Sequence, residues 1–206
     1  MARILVFGDS IVYGAWDSKG GWVERLKEFL DKRFLLNKNL YFLTYNLGIS
    51  GDTTKDILER FEFELKMRFK EKEDTIIIFS IGVNDSEFDN KKKKTKINIS
   101  QFEKNILELI KVSSKFSNKI IFTGLTPVDK RVNPIPWYKG YSYKNKLIKK
   151  YESSIRRICS EKKIYFIEIF DALNDKDLDD GCHPNSKGHE KIFERIQNFL
   201  IKKKLI

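Results

Sequence analysis

The sequence predicts one α/β domain in which helices cover both faces of a parallel sheet. Three observations carry this expectation. Five short β-rich runs of Ile, Leu, Val and Phe recur along the chain, and longer stretches with apolar residues at helical spacing separate them. The first, third and fourth runs are almost unbrokenly apolar, as strands covered on both faces are. Strand–helix alternation of this kind belongs to parallel sheets packed between helices. A length of 206 residues suits one such domain, and an apolar fraction of 41% with 16 phenylalanines supplies its core.

The first strand is expected over Arg3 to Phe7, where the apolar run halts on Gly8. Trp22, Leu26, Phe29, Leu30 and Phe34 then mark a helix. A second strand is expected over Leu40 to Asn46, followed by a helix carrying Ile57, Leu58, Phe61 and Leu65. The third strand falls at Thr75 to Ile81. Polar, lysine-rich Asp85 to Ile99 reads as an exposed loop, and Phe102, Ile106, Leu109 and Ile110 as the next helix. The fourth strand is Lys119 to Leu125. Asp129 to Tyr143 holds two of the four prolines with Trp137, Tyr138 and Tyr141, and reads as a loop leading into a helix through Leu147, Ile148, Tyr151, Ile155 and Ile158. The last strand is Ile164 to Ile169, and Ile192, Phe193, Ile196 and Leu200 mark the final helix. No internal repeat or dividing linker is present.

Net charge is +11, but lysines are scattered, with dense runs at Lys91 to Lys94 and Lys202 to Lys204. Such runs read as solvated faces, so a nucleic-acid partner is not expected. No apolar segment approaches the roughly 20 residues of a membrane span. Arg3 alone precedes the short first apolar run, which is no signal peptide, and two cysteines are too few for a disulfide framework. A cytoplasmic location is expected.

Small and polar residues gather where successive strands end, the edge at which open α/β sheets bind ligands. The first strand ends in G-D-S, Gly8 to Ser10. The second runs into N-L-G-I-S-G-D-T-T, Asn46 to Thr54. The third ends in G-V-N-D, Gly82 to Asp85, and the fourth in G-L-T-P-V-D, Gly124 to Asp129. Each alone is also what a turn requires. D-D-G-C-H-P-N follows late, Asp179 to Asn185. Asp180 lies three positions before His183, so the carboxylate is within reach of one ring nitrogen while the other faces a nucleophile. A serine needs such a base, and the base needs a carboxylate to hold its tautomer. Ser10, His183 and Asp180 therefore form the expected triad. Oxyanion donors are expected from the Ser10 and Gly51 N–H groups and the Asn84 amide; Gly51 lets backbone approach a ligand closely. Trp16 and Trp137 stand on loops above the same edge and are candidate substrate contacts. Asp9 is expected to hydrogen-bond its own turn, and His189 to be a surface or packing residue.

Taken together, these motifs resemble the SGNH (GDSL-type) hydrolases: G-D-S, then N-x-G-x-S-G-D-T-T, then G-x-N-D, then D-x-x-H-P, in that order and spanning nearly the whole chain. Ile11 stands where the family has leucine. The resemblance implies a flavodoxin-like three-layer α/β/α sandwich with a five-stranded parallel sheet. It implies Ser10 as nucleophile, His183 as base, Asp180 as its orienter, and Ser10, Gly51 and Asn84 as the oxyanion hole. It further implies a shallow site that cleaves esters or thioesters without cofactor.

Other chemistries fit less well. H-E-K-I-F, His189 to Phe193, lacks the second histidine of a zinc H-E-x-x-H, and Asp180, Cys182 and His183 lack a fourth metal ligand. There is no G-x-S-x-G elbow, no G-x-G-x-x-G and no P-loop. A silent anion-binding module would need neither Asp180 nor His183. Small acyl or acetyl esters are the expected substrates; lysophospholipids and acyl thioesters are the alternatives, and the oligomeric state is open.

Overall fold

The computed structural model describes residues 1–38 and 41–206. In chain order the elements are β1 (Ala2–Gly8), a one-turn α1 (Ser10–Tyr13), α2 (Gly21–Asn37), β2 (Phe42–Gly48), α3 (Thr54–Arg68), β3 (Asp74–Ser80), β4 (Phe88–Asp89), β5 (Lys94–Thr95), α4 (Ile99–Ser113), β6 (Lys119–Thr123), β7 (Tyr141–Ser142), α5 (Asn145–Lys162), β8 (Tyr165–Ile167) and α6 (Ser186–Lys202). Five strands form one parallel sheet in the order β2-β1-β3-β6-β8. Two helix layers flank it: α2 packs with α6, and α4 packs between α3 and α5. This is the expected α/β sandwich.

β1 lies inside the sheet between β2 and β3, and all seven of its residues are buried, which is why its sequence shows no alternation. Phe7 and Phe79 pack on Phe61, and Phe79 on Phe122, tying neighbouring strands to α3. The polar strand ends therefore emerge from a rigid apolar base.

Three expectations need correction. β2 continues through Gly48 instead of stopping at Asn46, because Val6, Phe7 and Gly8 of β1 remain available to pair with Asn46, Leu47 and Gly48. Its expected start, Leu40, lies outside the described residues. β8 is only Tyr165–Ile167, since the chain turns into a 3-10 helix over Phe170–Ala172. The stretch Asp85 to Ile99 is not simply an exposed loop. Lys91 to Lys94 are exposed, but Asp85, Ser86 and Glu87 are buried, and β4 pairs with β5 and β7 in a small antiparallel sheet beside the main one. Sequence polarity misled there because Asp85 is satisfied internally: it accepts from the Thr54 N–H and hydroxyl across the β3–α3 gap. Among the described residues no helix is long and apolar enough to cross a membrane.

Candidate active site

Residues after β1 make the first wall. Gly8 permits the tight exit: a Cβ there would meet Ser80 O at 2.4 Å and the Val12 side chain at 2.2 Å. Asp9 caps α1 by accepting from the Ile11 N–H at 2.9 Å, as expected of a turn-bonded carboxylate. Ser10 is then the first helical residue, with its N–H in the turn that has no intrahelical partner.

The second wall comes from the other end of the chain. Asn185 caps α6 by accepting from the Gly188 N–H. Just before it, Asp180 Oδ1 accepts from the N–H groups of Cys182 (2.9 Å) and His183 (2.8 Å), folding the turn so that Asp180 Oδ2 meets His183 Nδ1 at 2.7 Å. His183 Nε2 stands 2.9 Å from Ser10 Oγ. Ser10 and His183, 173 positions apart in sequence, thus stand with Asp180 in one hydrogen-bonded line. Burial opposes the Asp180 charge, but the bonds from the His183 ring and the two amides outweigh it and hold the carboxyl well below the usual range. It stays an acceptor, so Nδ1 carries the ring proton and Nε2 is free to accept from Ser10.

Gly51 and Asn84 converge from β2 and β3. Gly51 has φ +87°, a left-handed conformation that suits glycine, and its missing Cβ faces open space. Asn84 Nδ2 donates to Asp52 O at 2.9 Å, and its Oδ1 accepts from the Tyr143 hydroxyl at 2.8 Å. One Nδ2 proton remains, on a group tied to the turn that carries Gly51. Ser10, His183, Gly51, Asn84 and Tyr143 line one open cavity of about 1080 Å³, together with Trp16, Trp137 and Tyr138.

Trp16 does more than line it. Its Nε1–H donates to Asp180 Oδ2 at 2.8 Å, and its ring meets His183 edge-on at 5.6 Å. His183 Nδ1 lies 3.0 Å from the same indole nitrogen, but Nδ1 already donates to Asp180, so the indole proton goes to the carboxylate. Trp16 holds φ 65°, which costs a non-glycine residue roughly 1–2 kcal/mol. The surrounding loop is pinned from both sides. Asp17 accepts from Arg25 and from the Gly21 N–H, Arg25 reaches Ser186 O at 3.1 Å, and His189 Nε2 lies 3.4 Å from Ala15 O. His189 is therefore a fully buried packing residue.

Sequence reasoning did not single out three contributors. Tyr143 fixes the Asn84 amide. Arg131 donates to Asp179 O (2.6 Å) and Leu178 O (3.1 Å), and Asp129 N–H donates to Gly181 O (2.9 Å), clamping the turn that holds Asp180 and His183. Glu87 lines the cavity. Tyr143 and Arg131 belong to the proline- and aromatic-rich loop already marked in the sequence, which was the available signal. Trp137 and Tyr138 on that loop are half-exposed at the cavity mouth.

Burial pushes the Asp9 carboxyl up to about 7, against the Ile11 N–H and the nearby His183, and burial likewise pushes Asp85 up to about 6. Both groups hold protons in the folded state that the unfolded chain gives up from about pH 4, so their stabilising contribution is lost as pH rises through those folded values. His189 runs the other way: burial lowers it to about 4, so its contribution is lost as pH falls towards that value. Asp9→Asn keeps an acceptor for Ile11 and removes one titration. Its thermal midpoint is expected to gain on wild type as pH is raised from about 4 to about 8, at roughly 2–4 °C for each kcal/mol. A midpoint difference independent of pH rejects this account.

The sequence profile of the GDSL-like lipase/acylhydrolase family matches residues 6–191. Among solved structures, a lipase/acylhydrolase from Enterococcus faecalis is 22% identical, with 98% of this chain and 97% of that chain covered and a TM-score of 0.77. An acetylxylan esterase from Geobacillus stearothermophilus is 18% identical, covering 96% and 93%, with a TM-score of 0.73. A member of the lipolytic G-D-S-L family from Veillonella parvula is 16% identical, covering 96% and 97%, with a TM-score of 0.72. At these identities the likeness is one of fold. No curated protein matches the chain.

Proposed function

The chain belongs to the GDSL-like lipase/acylhydrolase family, and on that premise we propose that it cleaves small acyl or acetyl esters through an acyl-enzyme formed on Ser10. The observation that carries this reading is the line Ser10 Oγ–His183 Nε2, 2.9 Å, and His183 Nδ1–Asp180 Oδ2, 2.7 Å, opening on a solvent-accessible cavity. Membership makes the chain a serine esterase; the assignment of its reacting residues is our own.

In this reading His183 Nε2 takes the Ser10 hydroxyl proton while Oγ bonds to the ester carbonyl carbon. The carbonyl electron pair moves onto oxygen, where the N–H groups of Ser10 and Gly51 and the free Nδ2 proton of Asn84 receive it. Asp180 stabilises the imidazolium without taking its proton. The imidazolium then protonates the leaving alcohol as the C–O bond breaks. Water, deprotonated by the same nitrogen, attacks the acyl-enzyme and releases the acid and Ser10. The one-domain organisation and the open cavity suit a small substrate, and the acetylxylan esterase activity of a structural neighbour makes acetate the first acyl group to try. The direct test is labelling with a fluorophosphonate followed by peptide mapping. The label is expected on Ser10, alongside hydrolysis of p-nitrophenyl acetate; an unlabelled, inactive protein would overturn the reading.

Trp16 tests the orienting part of this assignment. Trp16→Phe keeps the ring and removes the Nε1–H from Asp180. Losing one donor is expected to lower kcat by roughly 2–10-fold with KM little changed. Trp16→Ala additionally removes the face lining the cavity, so any further rise in KM reports substrate contact. A Trp16→Phe protein with unchanged kcat would leave Trp16 as a substrate contact alone.

A further inference from the structure

The cavity runs against the charge of the chain around it. Lys and Arg number 40 against 29 Asp and Glu, yet Asp17, Glu24 and Glu87 line the cavity and, among the described residues, no Lys or Arg does. Asp17 is paired with Arg25, and Glu24 stands exposed at the rim. Glu87 differs from both. It is 7% exposed and has no ion pair among the described residues. Among the described residues its side chain has one hydrogen-bond partner, the Tyr143 hydroxyl, 3.4 Å from Oε2. Tyr143 has a single hydroxyl proton, and the shorter bond, 2.8 Å to Asn84 Oδ1, takes it. The backbone of Glu87 is fixed on both sides, by its N–H to Asn84 O and by Lys96 N–H to Glu87 O. A rigidly held, mostly buried carboxylate thus lines the cavity, with Oε2 beside the Tyr143 hydroxyl and no other side-chain hydrogen-bond partner among the described residues. A carboxylate with so little solvent around it and spare acceptor capacity on the cavity side is well placed to take a hydrogen bond from a donor that enters the cavity.

We propose that Glu87 is a specificity determinant that accepts a hydrogen bond from an O–H or N–H donor of the substrate, so the preferred substrates are esters bearing a hydroxyl or ammonium group, and no negative charge, close to the scissile bond. This rests on the esterase reading above. Tyr143 links Glu87 to Asn84, which sets the donor near the carbonyl oxygen. Trp137 and Tyr138 offer half-exposed aromatic faces to the same cavity, surfaces on which the C–H edges of a polyol or the carbons of an ammonium group can rest. Lys96 is the cation acting on Glu87 from the adjoining strand segment, and it opposes the upward push of burial on the carboxyl without pairing with it.

The test compares kcat/KM for three acetates: butyl acetate without a donor, glycerol monoacetate with hydroxyls, and 2-(dimethylamino)ethyl acetate, whose protonated nitrogen carries one N–H. Wild type is expected to favour at least one donor-bearing ester over butyl acetate, and that ester identifies whether the donor is hydroxyl or ammonium. Glu87→Ala is expected to reduce the preference by roughly 10–100-fold, the loss of one hydrogen bond to a charged group. Glu87→Gln preserves size and one acceptor. It should keep much of a hydroxyl preference and lose an ammonium preference, and it stands in if the alanine variant unfolds. A wild type that takes the fluorophosphonate label and cleaves all three esters without preference overturns this proposal alone. So do Glu87 variants that lower all three rates by one common factor, as a residue that merely holds Tyr143 would. A wild type with neither label nor activity overturns the esterase reading, and this proposal with it.

Discussion

Ser10→Ala is expected to lower kcat by roughly 10⁴–10⁶-fold, the scale on which a triad nucleophile acts with its base as one unit. The thermal midpoint should barely move. Ser10 Oγ has its hydrogen bond to His183 and caps nothing; Asp9 is the residue that caps α1. Alanine is also a good residue for a helical first turn. His183→Ala should cost about as much, and the double variant little more, because removing either partner already abolishes the proton transfer. Single-turnover measurement with p-nitrophenyl acetate separates this from contamination: wild type should release a burst of nitrophenol as the acyl-enzyme forms, and Ser10→Ala should release none. A well-folded Ser10→Ala protein retaining more than roughly one-hundredth of the wild-type rate would move the nucleophile elsewhere.

How legible this was from sequence depends on the range over which each feature is determined. Strands β1, β3 and β6 were readable because double-sided burial writes itself as an uninterrupted apolar run. β2 was misplaced at its end because Asn46 looks like a turn residue; only the pairing of Val6 to Gly8 with Asn46 to Gly48 keeps it in the sheet. The candidate triad was readable because each member sits in a short local motif whose chemistry is recognisable without neighbours. The second tier was not. Trp16 and Asp180 are 164 residues apart, and Tyr143 and Asn84 are 59 apart. An indole N–H or a phenol acquires a role only once folding aims it. Asp85 shows the same limit from the other side: a polar run reads as surface unless the partner that satisfies it, here Thr54, is known to lie across a gap.

Asn84 carries the second large effect. In its amide Oδ1 accepts from Tyr143 and one Nδ2 proton goes to Asp52 O, so the other Nδ2 proton is available to the oxyanion in the proposed mechanism. A donor aimed where charge appears in the transition state acts on kcat and on kcat/KM together, with little change in KM. Asn84→Ala is therefore expected to lower kcat by roughly 10²–10³-fold, the usual cost of one oxyanion donor. The same amide also anchors the turn bearing Gly51, so part of the loss could arise from displaced backbone. Two companions separate these contributions. Tyr143→Phe leaves Asn84 in place and removes only the bond to Oδ1; it should lower kcat by roughly 2–10-fold, on the scale of one neutral hydrogen bond. Asn84→Asp keeps an acceptor toward Tyr143 but places a carboxylate beside the oxyanion, so it should fall below Asn84→Ala in rate even where its thermal midpoint is the higher of the two. If Asn84 only ties the turn together, the order reverses: midpoints fall first, activity follows them, and Asn84→Asp outperforms Asn84→Ala. A folded Asn84→Ala protein with near-normal kcat would remove the amide from the oxyanion hole and leave the charge to the Ser10 and Gly51 N–H groups.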